Sequence, residues 1–193
     1  MPTACQDITC PTTCADALPE VEFDLCNPDF HFGQVSDVFI TNIGNPLTDE
    51  TDPVEWTSRL SLSQSDPAKI IRLLGIGDKP AAESTEVEAS YGRTAYGAKT
   101  HTVNFRIDEV SDKNYEMMRK FECNKTVLVW YKTYEGKIYG GAAGITASIK
   151  FDHVIPESAS ELETLTGTLK WKSKFSPCRT DWPLQGDAYI SGS

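Results

Sequence analysis

The chain has 193 residues, a formal net charge of −10 and a composition that is 39% hydrophobic, 10% aromatic and 24% charged. These values are ordinary for a soluble globular chain and exclude collagen, a coiled coil and global disorder. The length suits one domain, or a domain with a small appendage.

Residues 1–20 are rich in Thr, Cys, Pro and Asp without periodicity and read as an extended N-terminal arm. The opening residues, Met1 to Asp7, lack the basic and apolar regions of a secretory signal, and no stretch approaches the roughly 20 apolar residues of a membrane helix. Neither export nor a membrane span is therefore expected. Four of the six cysteines (Cys5, Cys10, Cys14, Cys26) fall in the first 26 residues, and Cys123 and Cys178 follow. None forms a Cys-x-x-Cys pair, so zinc is weakly supported. With no export signal the default is reduced thiols filling local gaps, with a disulfide or metal clip as the alternative.

Residues 21–183 read as a single β-rich domain and 184–193 as a C-terminal tail. Val21, Phe23 and Leu25 alternate until Asn27-Pro28. Val35 to Ile43 is a strand. Asp52-Pro53-Val54-Glu55 opens a short helix, with Asp52 as cap, Pro53 at the first helical position and Glu55 completing an Asp-x-x-Glu box. Ala68–Ile76 is a strand. Residues 79–100, rich in Ala, Glu, Ser, Thr and Gly, read as a long loop with one short strand near Thr85–Ala89. A connection of that length is usually functional or ordered by a partner.

The second half has clearer periods. Val103, Phe105 and Ile107 alternate with polar residues. Ser111 caps a helix over 112–123 with Tyr115, Met118 and Phe121 on one face. Thr126–Tyr134 is the strongest strand signal, and Glu135-Gly136-Lys137 turns it into a hairpin. After Gly140-Gly141-Ala142-Ala143-Gly144 a strand runs from Ile145 towards Ile155, and Glu157–Leu162 suggests a helical turn. In the final strand, Leu165, Gly167, Leu169, Trp171 and Ser173 face one way, and Thr166, Thr168, Lys170, Lys172 and Lys174 the other. The fold class is mainly β, sandwich or barrel-like, with one flanking helix.

No catalytic constellation is visible. His31, His101 and His153 are far apart, and neither His-Glu-x-x-His nor Gly-x-Ser-x-Gly occurs. The glycine-rich 140–144 segment lies between strands, not before a helix, and so is a poor phosphate cradle. Asp49, Glu50, Asp52 and Glu55 offer oxygens for calcium but lack the required spacing. Trp130 and Trp171 suit core or interface, or a surface on which a sugar stacks. Neither enzyme activity nor a cofactor is expected.

Charge is segregated along the chain. Residues 1–90 hold 16 Asp/Glu against 4 Lys/Arg, and residues 91–193 hold 12 against 14. An acidic chain is a poor general binder of nucleic acid, but acidic parts of one copy could meet basic parts of another. The stripe Lys170, Lys172, Lys174 suits an acidic neighbour, or the protection of an edge strand.

Two stretches carry a family resemblance. One runs from Cys26-Asn27-Pro28 through Gly33-Gln34-Val35, Phe39-Ile40-Thr41-Asn42 and Asn45-Pro46-Leu47-Thr48-Asp49 to Glu55-Trp56-Thr57-Ser58-Arg59-Leu60. The other joins Gly140-Gly141-Ala142-Ala143-Gly144-Ile145 with Gly167-Thr168-Leu169-Lys170-Trp171-Lys172-Ser173-Lys174-Phe175-Ser176-Pro177. Together they resemble virion structural proteins of tailed bacteriophages, and the element order is similar to that of the tail tube protein. The resemblance implies a non-enzymatic subunit that closes hexameric rings, which stack into a tube for DNA ejection. It further implies other tail proteins (tape measure, terminator, baseplate) as partners, passage of DNA without sequence-specific binding, no membrane, and location in the virion tail after assembly in the host cytoplasm. Lys170, Lys172, Lys174, Trp171, Trp130, Glu55 and Trp56 are the expected interface residues. A capsid decoration or head–tail connector protein is the nearest alternative, and a carbohydrate- or metal-binding β module a more distant one.

Overall fold

The computed structural model describes residue 31 and residues 33–122 and 126–184. The expected N-terminal arm, the C-terminal tail and five of the six cysteines lie outside these residues. Cys178 is disulfide-bonded, a departure from the reduced state expected when no export signal was found.

Among the described residues there are nine strands and two α-helices. In chain order these are β1 (Val35–Asn42), α1 (Pro53–Ser61), β2 (Ile71–Asp78), β3 (Glu83–Ala89), β4 (Arg93–Ile107), α2 (Asp112–Phe121), β5 (Thr126–Thr133), β6 (Lys137–Tyr139), β7 (Ile145–Val154), β8 (Thr164–Ser173) and β9 (Arg179–Asp181). Every pairing is antiparallel. The order β1-β2-β4-β8-β7-β5 closes on itself because β1 also pairs with β5, from Val35 opposite Thr133 to Asn42 opposite Val127. The mainly β reading thus resolves into a barrel, which has no edges of its own to protect.

Strand alternation fills the barrel. In β8, Leu165, Gly167, Leu169 and Trp171 are buried while Lys170 and Lys172 are exposed. In β7, Ile145, Ala147, Ile149 and Phe151 point inward. They meet Val103, Phe105 and Ile107 of β4 in one core. Gly167 makes room for Phe105: a Cβ there would lie 2.2 Å from the ring. Helix α2, capped by the Ser111 hydroxyl, adds Met118 to this core and sets Phe121 against Phe151 at 5.5 Å.

A second core lies outside the barrel wall. Strands β1 and β5 are buried on both faces, which is why 127–131 reads as a continuous apolar run. Their outer faces (Phe39, Leu128, Trp130) pack with Ile138 against Leu47, Ile70 and Trp56 of α1. The indoles of Trp56 and Trp130 meet edge-on at 5.7 Å, and Trp182 stacks on Phe39 at 4.9 Å. The glycine-rich segment wraps Trp130. The indole N–H donates to the Gly141 carbonyl at 2.7 Å, and a Cβ at Gly140 or Gly144 would meet the ring at 2.5 or 2.8 Å. Both glycines have positive φ, +139° and +70°.

Three expectations change. Residues 79–100 are no loop: β3 and the first half of β4 form a two-stranded ribbon. Glu157–Leu162 forms turns and bends, with no helical turn. Glu55 does not complete a capping box. Asp52 does cap α1, accepting from the Val54 amide at 2.8 Å, but the Glu55 carboxylate takes the amides of Thr48 and Asp49. Among the described residues no helix is long and apolar enough to cross a membrane.

Gly144→Ala should destabilise the fold by about 2–3 kcal/mol, from ring overlap added to left-handed backbone strain. Urea denaturation followed by tryptophan fluorescence measures this.

Candidate assembly surfaces

The expected interface residues divide into two groups. Lys170 and Lys172 stand exposed on the outer face of β8, and Lys174 continues the line past the strand end. β4 flanks β8 from Leu165 to Ser173, whereas β7 pairs with it only from Thr164 to Lys170. The edge-protection reading therefore falls for Lys170, while Lys172 and Lys174 lie beyond the β7 pairing. Among the described residues none of the three lysines forms an ion pair, although the ammonium of Lys174 lies 5.5 Å from the Phe175 ring. The stripe is a free cationic surface on a rigid wall, bordered by the exposed Lys150–Asp152 pair on β7.

The other four residues lie within the subunit. Trp56 and Trp130 are both 0% exposed, and Trp171 faces the barrel interior. None of the three presents a ring to a neighbouring chain or to a stacked sugar, because α1 and the 140–144 segment cover the first two and the barrel encloses the third. Glu55 anchors the 45–52 segment through backbone amides and faces Arg59 at 3.9 Å. The Arg59 guanidinium donates to the carbonyls of Ala68, Pro46 and Asn45.

The acidic cluster is similarly committed to local structure. Asp49 accepts from the amide and hydroxyl of Thr51, and these bonds hold its carboxyl below the usual range. Asp52 caps α1. Among the described residues no three His, Cys, Asp or Glu side chains converge on a possible metal position.

The ribbon is the surface that sequence reasoning did not resolve. Its outer strand carries Glu83, Glu86 and Glu88, all exposed, and among the described residues none makes an ion pair. Val87 is 56% exposed and Tyr91, at the tip, 96%. Tyr91 holds φ 65°, a left-handed conformation that costs a non-glycine residue about 1 kcal/mol. β8 joins β4 only from Lys99 onward, so the Arg93–Ala98 part of β4 has no second neighbour. A register shift opposite Ser84/Glu86 bends the ribbon.

Two buried polar residues, Asp37 on the outer face of β1 and His101 inside the barrel, also escaped notice. Asp37, 2% exposed, bridges Arg72 of β2 at 2.6 Å and Lys132 of β5 at 2.7 Å and accepts from Ser36. Burial pushes its carboxyl up, but the bonds from Lys132, Ser36 and Arg72 outweigh this and hold it below the usual range. A lone acid inside an apolar strand was the available signal. His101 lies in the barrel, stacked on Trp171 with centroids 5.1 Å apart. Its register with Val103, Phe105 and Ile107 could have found it.

A concavity of about 390 Å³ opens beside Tyr131 and Tyr139, with Asp78, Lys79 and Thr133 on its wall. Asp78 accepts from the Asn104 amide at 3.3 Å. No histidine or cysteine among the described residues lines the space. Compared with protein-family models and with curated proteins, the chain matches none.

Asp37→Asn should cost about 3 kcal/mol at pH 7, because it leaves Arg72 and Lys132 without their shared counter-charge. The folded carboxyl titrates below the unfolded one, so its contribution is present above about pH 4 and fades as pH falls through the folded value. The stability difference between native and variant protein should therefore shrink steadily as the pH is lowered below about 4.

Proposed function

We propose that this chain is a self-assembling structural subunit. Its ribbon reaches a neighbouring copy, and the assembly is a stack of rings of the phage tail tube kind. The observation that carries the reading is the ribbon itself. Among the described residues, Glu83 to Glu88 and Ser90 to Thr94 have no core of their own chain to pack on and remain exposed. A two-stranded hairpin is marginal alone, so one that projects unsupported is best explained by a surface it meets in another molecule.

Charge indicates which surface. Glu86 and Glu88 alternate along β3 and so share one ribbon face, while Lys170 and Lys172 share the outer face of β8. Residues on strand faces repeat roughly every 7 Å, so the two rows have the same spacing. Both rows are unpaired among the described residues and opposite in sign. An acid row that meets its own kind of lysine row in the next copy is a heterologous contact, and such contacts close rings or propagate stacks. The sequence resemblance supplies the tube as the form of the assembly. Passage of DNA and contact with other tail proteins follow from that resemblance alone.

Negative-stain microscopy and light scattering at rising concentration test the reading, with rings or tubes expected. A chain that stays monomeric at millimolar concentration would end it. Charge reversal tests the contact. Lys170→Glu with Lys172→Glu, or Glu86→Lys with Glu88→Lys, should each weaken assembly at least tenfold, since like charges then face one another at about 1 kcal/mol or more per pair. Mixing the two variants should restore it. Unchanged assembly in both would show that other surfaces carry the contact.

A further inference from the structure

β4 changes neighbours along its length. On one side β3 covers Arg93 to Thr100 and β2 covers Asn104 to Arg106, and His101 falls between these pairings. On the other side β8 begins at Lys99 opposite Ser173 and runs to Ile107. His101 thus stands at the root of the ribbon, where it leaves the barrel.

The surroundings suit an uncharged imidazole and no other form. The ring is 1% exposed and lies parallel to Trp171, with an interplanar angle of 8°. Neither ring nitrogen has a hydrogen-bond partner, and the Ser173 backbone falls short of bonding geometry. The charged groups acting on it are both cations: Lys79, on the link from β2 to β3, and Lys99, on β4 itself. From β5 comes Tyr131, whose ring lies 6.2 Å from Trp171 and whose unpartnered, buried hydroxyl stays protonated. Burial foremost, then the Lys79 and Lys99 charges, lower the imidazole's proton affinity, and the Ser173 backbone offsets only part of this.

We propose that His101 is an acid-sensitive latch on the ribbon: neutral, it holds the root closed by stacking on Trp171, and protonated, it leaves the barrel and frees the ribbon. An imidazolium in the closed position would carry two N–H donors without acceptors beside two lysines. In water it is solvated. Its exit requires opening the β4–β8 ladder from the Lys99–Ser173 end through the His101–Trp171 pair. The closed state is fully favoured above the ordinary histidine value near 6.5, and loses up to tenfold in population ratio for each pH unit below it. His31 and His153 lie elsewhere, each against a carboxylate, Glu135 and Glu163 respectively. The inference needs only one chain and stands whether or not the ribbon meets a second copy.

Amide hydrogen exchange of the full chain between pH 8 and pH 5, corrected for the intrinsic pH dependence, tests the latch. Protection over residues 83–100 should fall five- to tenfold per unit below about pH 6.5 while β5 stays protected. His101→Phe keeps a stacking ring without a titrating group, and should leave ribbon protection independent of pH. The same pH profile in His101→Phe, or no ribbon response in the native chain, overturns the proposal. Should that variant not fold, NMR titration of the native His101 ring decides. A titration coupled to ribbon opening supports the latch, and a ring that titrates while the ribbon stays protected refutes it.

Discussion

The pairing of β1 with β5 is the constraint on which the rest depends. It turns an open sheet into a barrel, and it joins strands separated by some ninety residues of chain. Because both strands are covered inside and outside, their side chains belong to two cores at once: Val38 and Ile40 to one, Phe39 to the other. Asp37 fastens the seam with its links to the neighbouring strands on either side. A carboxylate this buried is tolerated because three donors and two positive charges meet it, and the same dependence makes the seam sensitive to acid.

The second core explains residues that looked like surface. Alternation along β5 assigns Leu128 and Trp130 to the face opposite Val127 and Val129, but it does not say what covers that face. The covering element is α1, brought over by a segment whose backbone is held by Glu55 and Arg59. These two charged side chains spend their hydrogen bonds on the main chain, a role that residue type alone does not distinguish from an interface. The glycines at 140 and 144 are likewise set by contact: the chain passes so close to the Trp130 ring that a methyl group does not fit.

What was legible follows from the same physics. β8, with one wet and one dry face, showed its full pattern, and the cap and apolar stripe of α2 were equally plain. Of the ribbon only β3 was legible, as the short strand near Thr85–Ala89. Glu83 to Glu88 are exposed, so β3 carries Glu, Ser and Thr where a half-buried strand would alternate with apolar side chains, and periodicity did not show that it pairs with the first half of β4. Closure of the barrel was similarly hidden, since the β1–β5 register is a property of distant segments. His101 sat in a readable alternation, but its meaning came from the change of neighbours along β4, which only the topology supplies.

The ribbon also concentrates the molecule's functional tension. A barrel that buries its strands so thoroughly has few surfaces left to offer, and its outer wall at β8 is rigid and cationic. The projecting β-ribbon is the opposite: acidic, exposed and held chiefly at its root. Ordering such an element costs backbone entropy of about 1–2 kcal/mol per residue, and its own hydrogen bonds offset little of that in water. Either the root supplies enough order to present the ribbon, or a second surface completes it. The stacked His101–Trp171 pair lies at the first of these points and the lysine row fits the second. Binding at the lysine row would be strengthened by whatever keeps the root closed, because a ribbon already ordered loses less entropy on docking. Under the proposed contact, root and row would be coupled through the ribbon even though they occupy opposite faces of the same strand, Trp171 inward and Lys170 and Lys172 outward.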